Sequence, residues 1–172
     1  MTKRFSVTAG YWVVLCLGAI LFSACSEKDD TEAIRRLIVK GAGLAEKKQL
    51  GDLMDLTTPS FVALPGNHDA QTTKSILFGA FFHYGKFKIH FPKPDVKMAS
   101  DGNSADATVH FLIVRQNQSI PRLKELYDDP RQWMETVGEK ADLYQLKLAM
   151  VKNGGEWLVS KAELEGFKGT GF

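Results

Sequence analysis

Side chains able to do acid–base, nucleophilic or metal chemistry are few and scattered. The histidines are His68, His83, His90 and His110, and the cysteines are Cys16 and Cys25. No His-x-x-x-His spacing or acid-rich loop supplies a zinc or calcium site. His68 sits in Gly66-Asn67-His68-Asp69, which reads as a surface turn. His83 flanks the apolar stripe of a predicted helix. His90 and His110 fall on neighbouring strands of a hairpin that turns near Gly102. That turn places His110 opposite Pro94 and displaces His90 along its strand, so the two do not form a metal pair. Alternation puts both on the strand face opposite Phe91 and Phe111. Asp106 is the nearest carboxylate to them. Glycine-rich phosphate loops and triad signatures are absent. The sequence therefore assigns no catalytic residue, no metal and no cofactor.

The chemistry that remains is that of binding. Phe81, Tyr84, Val109, Phe111, Tyr144 and Leu146 are expected to line a mainly apolar cavity suited to a small apolar ligand. Tyr84 and Tyr144 are its polar groups. A phenol with a reference pKa of about 10 orients a ligand but is a poor base near neutral pH.

The elements that must position these residues follow from periodicity. Asp29 and Glu32 read as a capping box, and Ile34, Leu37, Ile38, Gly41, Leu44 and Ala45 form a helical stripe. Leu50, Leu53, Met54 and Leu56 predict a second short helix, ended by Thr57-Thr58-Pro59. A third helix, capped by Thr72 or Thr73, carries Ile76, Leu77, Ala80, Phe81 and Tyr84 and stops at Gly85. The period then becomes two. Phe87, Ile89 and Phe91 alternate with Lys86, Lys88 and His90; Pro92 and Pro94 interrupt, and Val96 and Met98 resume. Ala105, Ala107, Val109, Phe111 and Ile113 form the returning strand. Residues 116–141 lose the pattern, with short helices expected over Arg122–Tyr127 and Arg131–Val137. Asn153-Gly154-Gly155 reads as a three-residue hairpin loop. It pairs Met150 with Leu158, Leu148 with Ser160, Leu146 with Ala162 and Tyr144 with Leu164. Trp157, Val159, Val151 and Ala149 then share the outer face, a candidate surface for a second copy of the chain or another envelope protein.

The N-terminus is an address. Lys3 and Arg4 precede an uncharged, apolar run that ends in Leu21-Phe22-Ser23-Ala24-Cys25. Ser23 and Ala24 before a Cys resemble the bacterial lipoprotein signal, with Phe22 where Leu is usual. The resemblance implies that residues 1–24 are removed and that Cys25 carries the lipid that holds the protein on a membrane. Ser26 after the Cys implies the outer membrane, facing the periplasm. The mature chain then has no free thiol, since Cys16 leaves with the signal. Residues 25–29 are its tether, 30–166 its domain and 167–172 its tail.

Lys and Arg number 22 against 20 Asp and Glu. Removing residues 1–24 takes away Lys3 and Arg4 and no acid, so the mature chain is neutral. That balance argues against a nucleic-acid partner. Its 148 residues can bury roughly 70% of their unfolded surface without staples. Helices followed by strands define an α+β domain, with N-terminal helices packed on a curved four-stranded antiparallel sheet. Element order over Asp30–Leu56, Thr73–Tyr84, Lys86–Arg115 and Asp142–Leu164 resembles the nuclear-transport-factor-2-like superfamily, an α+β cone. That resemblance implies a pocket at the open end of the cone. It also implies two readings of function: a non-catalytic binding domain, or a small metal-free isomerase or dehydratase. The apolar stripe of the first helix offers no Tyr, Asp or His, and Ser60–Gly66, where such enzymes tend to place acids, has none, which favours the binder.

Overall fold

Two strands with long period-two runs organise the domain, β4 (Ser104–Arg115) and β5 (Ala141–Asn153). The computed structural model describes residues 29–115, Arg122, Glu125, Gln132, Val137 and 141–166. Preceding β4 are helix α1 (29–46), α2 (Leu50–Met54), β1 (Thr57–Leu64) and α3 (Ala70–Tyr84). The short strands β2 (Phe87–His90) and β3 (Asp95–Met98) follow α3, and β6 (Glu156–Gly166) comes last. The expected signal, Cys25 and the tail lie outside the described residues, as does most of 116–140. Asp29 is already helical, so α1 begins one residue before the expected domain boundary at Asp30.

The sheet has six strands and is mixed, in the order β1-β6-β5-β4-β2 with β3 also on β4. This corrects the expected four antiparallel strands. β2 and β3 are two separate segments, split where Pro92 and Pro94 remove ladder donors. Where the sequence predicts the end of a helix and a loop, the structure has β1. It pairs in parallel with β6, and its register slips between Thr57 and Val62. That irregularity, together with Pro59, erases the period-two signal.

The final hairpin differs as well. Gly154 and Gly155 take φ of +59° and +89°, so both residues of a two-residue turn are left-handed. Asn153 then faces Glu156, and Met150 faces Val159. A bulge leaves Ser160 without a partner, and its Oγ donates to the carbonyl of Ala149 at 3.1 Å. Beyond it Leu148 faces Ala162 and Leu146 faces Leu164. The bulge keeps apolar residues inward on both sides of it. Trp157 and Val159 therefore point into the core, buried at 4% and 8% exposure. The outer strip loses Trp157 and Val159, keeps Val151 and Ala149 and gains Leu158, all three half-buried.

One core cluster packs Ile34 and Ile38 of α1 against Phe61, Ala105, Ala107, Val109, Leu148, Met150, Trp157 and Val159. Ala105 and Ala107 are small and lie where α1 crosses the sheet. A second cluster, at the C-terminal end of α1, joins Ala45, Leu50, Phe81, Phe87 and Ile113. On the outer face of the sheet Val137 packs with Leu112 and Val114. The start of α1 is fixed: Lys152 Nζ (2.7 Å) and the Trp157 indole N–H (3.0 Å) both donate to Asp30 Oδ1. Its other end is fixed by Glu46, which accepts from the Ile89 N–H (2.8 Å) and from Lys88 (2.7 Å), covering the edge of β2. Asp69, not Thr72 or Thr73, caps α3, accepting from the Thr72 N–H at 2.8 Å. Ile76 leaves the inward stripe and is 50% exposed.

Candidate functional site

The second cluster opens into a polar group at its rim. α3 ends on Tyr84, and the first residues of β5 include Asp142 and Tyr144, two residues apart and so on one strand face. Tyr84 Oη lies 2.6 Å from Asp142 Oδ2 and 2.8 Å from Tyr144 Oη. A carboxylate only accepts, so Tyr84 donates to Asp142 and must accept from Tyr144. The proton order is therefore Tyr144 to Tyr84 to Asp142. It leaves the lone pairs of Tyr144 and the second oxygen of Asp142 as acceptors for a ligand. Burial first, then the bonds to Asp142 and Tyr144, raise the pKa of Tyr84 well above the usual phenol value, so it keeps its proton.

Aromatic rings frame this group. Tyr144 stacks on Phe111 at 5.4 Å, and Tyr84 tilts against Phe87 at 5.9 Å. Phe87 in turn meets Phe81 at 5.0 Å. The Arg115 guanidinium lies 5.9 Å from the centre of the Tyr84 ring, opposite Phe87 in the ladder. The rim thus offers a carboxylate, two phenols and one cation beside a packed aromatic floor.

Four of the six residues expected to line a cavity meet here: Phe81, Tyr84, Phe111 and Tyr144. Phe81 is buried and fills space rather than bounding it. Val109 and Leu146 belong to the first cluster, Val109 within it and Leu146 packed against it, so they do not reach the rim. Asp142 and Arg115 were missed. Both were within reach of the alternation rule, Asp142 in step with Tyr144 and Arg115 in step with Ile113.

The histidines lie elsewhere. His90 pairs with Leu112 and His110 with Gln145, on the outer side of the sheet, and the Gln145 amide is 2.8 Å from His110 Nε2. Asp106 is exposed beside neither ring. His68 exchanges backbone bonds with Ala63, and exposed His83 meets the Tyr84 ring edge-on at 6.1 Å. Among the described residues no three His, Cys, Asp or Glu side chains converge as metal ligands. Nor is any described helix long and apolar enough to cross a membrane.

Comparison with solved structures settles the architecture. A protein described as NTF2-like with a cystatin-like fold, from Novosphingobium aromaticivorans, aligns with a TM-score of 0.62 over 87% of this chain and 90% of its own, at 14% identity. This domain has the nuclear-transport-factor-2-like fold. A protein from the same organism named for scytalone dehydratase aligns equally well (TM-score 0.62, 14% identity, 84% of this chain and 88% of that one). An NTF2-like protein of unknown function from Pseudomonas putida gives a TM-score of 0.60 at 11% identity, over 80% of this chain and 87% of its own. Identities this low carry the fold alone. No family model and no curated protein matches the sequence.

Proposed function

We propose that this NTF2-like domain is a lipid-anchored envelope protein that binds a small apolar ligand at the rim of its cone without transforming it. The observation that carries the reading is the Tyr144–Tyr84–Asp142 chain on an aromatic floor. Its hydroxyls and carboxylate are held in a fixed order, as a site that orients a ligand requires. General acid–base turnover asks for more: a base tuned by burial in a water-excluding cavity. Here Asp142 is exposed, and the cone interior beneath it is filled by Phe81, Phe87 and Ile113.

Ser23-Ala24-Cys25 supports the anchor. With Cys25 acylated, the start of α1 sits near the membrane, at the hairpin end held by Asp30. The rim lies at the other end of α1, about 27 Å away at 1.5 Å per residue. The ligand site then faces the periplasm.

The binding test is protein-observed NMR of the full chain in neutral nanodiscs, screened against small aromatic and alicyclic molecules carrying a hydroxyl or amine. Shifts concentrated at Tyr84, Phe111, Asp142 and Tyr144 support the reading, and hits that shift only other residues contradict it. The anchor test is mass spectrometry of the mature protein. Acylated Cys25, with loss of membrane fractionation in Cys25→Ser, is expected; an unmodified Cys25 on a mature chain contradicts it.

A further inference from the structure

The face of α3 turned away from the sheet is unexpectedly apolar. Phe78 is 66% and Phe82 80% exposed, on successive turns. Phe78 walls an open groove of about 550 Å³ between α3 and the turn that joins α1 to α2. Leu50 and Gly51 form the other side, and Gln71, Lys74 and Ser75 continue the α3 wall. The ionisable groups lining it are Lys48 and Lys74, both cations, and neither joins an ion pair among the described residues. Asp52, the nearby acid on α2, accepts from the Gln49 amide at 3.1 Å. Lys74 reaches across the groove, since a Cβ on Gly51 would lie 3.9 Å from its Nζ.

Lys48 supplies an independent observation. Its φ is +58°, the left-handed region that disfavours a side chain. It ends α1 in a Schellman turn: the Lys48 N–H donates to the Ala45 carbonyl (2.9 Å) and the Gln49 N–H to that of Leu44 (2.9 Å). Glycine is the residue this position favours. A lysine held there under strain, with its side chain on a groove already lined by a second lysine, points to a role outside folding.

We propose that this groove binds one anionic amphiphile. Its phosphate or carboxylate sits between Lys48 and Lys74, and its alkyl or aryl arm lies on Leu50 and Phe78. Charge complementarity selects the anion, because two ammonium groups and no carboxylate line the site. The exposed ring of Phe78 selects the apolar arm. The site shares no residue with the Tyr84 rim and stands whether or not the rim binds a ligand. The occupant is a free amphiphile, because the groove lies just past the C-terminal end of α1, the end away from the proposed anchor.

The test is calorimetric titration of the full chain in neutral nanodiscs with hexyl phosphate, beside inorganic phosphate and hexanol. Hexyl phosphate is expected to bind at least about tenfold more tightly than either part alone. Lys74→Gln and Lys48→Gly should each weaken it about tenfold, the loss of one charge-assisted contact. Lys48→Gly is the decisive variant, because relief of the left-handed strain should raise its thermal midpoint while its affinity falls. No binding of hexyl phosphate, equal binding of inorganic phosphate, or a stabilised Lys48→Gly that binds as well as the parent would each overturn the proposal. Repeating the titration in phosphatidylglycerol nanodiscs should leave the affinity unchanged, and competition by that bilayer would overturn the assignment of a free amphiphile.

Discussion

Replacing Asp30 tests how the first helix is fastened to the sheet. Asp30 Oδ1 accepts from Lys152 Nζ at 2.7 Å and from the Trp157 indole N–H at 3.0 Å. The two donors respond differently to its loss. Lys152 can turn to water, so breaking that pair costs about 0–1 kcal/mol. Trp157 is 4% exposed, so its N–H stays buried without an acceptor, at about 1–3 kcal/mol. Asp30→Ala should therefore lose roughly 2–3 kcal/mol, or about 4–10 °C in thermal midpoint for a domain of this size. Asp30→Asn keeps an oxygen for the indole and should lose about 1 kcal/mol or less. The pH dependence has a definite sign. Hydrogen bonds from Lys152, then Trp157, lower the pKa of Asp30 in the folded state. The unfolded chain therefore holds this proton more tightly, and the contribution of Asp30 is complete above the ordinary Asp range. It is lost as pH falls through the lowered native value, so the gap between the parent and Asp30→Asn should close on acidification. The assay is urea denaturation followed by Trp fluorescence between pH 3 and pH 7. Equal midpoints for Asp30→Ala and Asp30→Asn, or a gap that widens in acid, would refute the reasoning.

Other perturbations test the remaining elements. Leu148, 8% exposed and facing Ala107 and Ala162, should not tolerate a charge, so Leu148→Asp should abolish cooperative unfolding. Lys147 points to solvent, where it pairs with Glu165, and Lys147→Ser should leave the denaturation midpoint within error; similar losses in both variants would reverse the assignment of faces. Tyr84→Phe keeps the ring contacts but frees Asp142 and Tyr144 to water, for about 1 kcal/mol or less of stability. Because the folded pKa of Tyr84 is raised, its contribution is whole below about pH 10 and declines above it. Ultraviolet titration should show one fewer late-ionising phenol in Tyr84→Phe, and identical titration curves would contradict the Tyr144–Tyr84–Asp142 hydrogen-bond chain.

The parts of the fold that were legible in the sequence are those where one rule acts alone. Strict alternation from Ala105 to Ile113 marked β4, and the stripe of Leu77, Ala80, Phe81 and Tyr84 marked the inward face of α3. Two rules in conflict hid the rest. In β6 the two-glycine turn and the bulge at Ser160 each shift the register by one, so together they displace the pairing by two residues and restore the faces; a single register therefore fitted the faces beyond the bulge and put Trp157 on the wrong face before it. In β1 a parallel, slipped pairing around Pro59 left no periodic trace. The rim was half legible. Tyr84 and Tyr144 stood out as polar residues on apolar faces, whereas Asp142 looked like one more acid at the end of a charged segment. Its role depends on α3 ending beside β5, a contact between residues 58 apart that no local pattern encodes.

The central claim is that the Tyr84–Asp142–Tyr144 rim holds a ligand and does not transform it. The most direct measurement is the fate of the bound molecule. Molecules that shift Tyr84, Asp142 and Tyr144 would be incubated to long times with stoichiometric protein, recovered, and identified by mass spectrometry and NMR. Recovery unchanged, with binding weakened by Asp142→Asn, is the predicted result. Conversion to an isomer or a dehydrated product, abolished by Asp142→Asn while binding persists, would contradict the account and make the carboxylate a catalytic base.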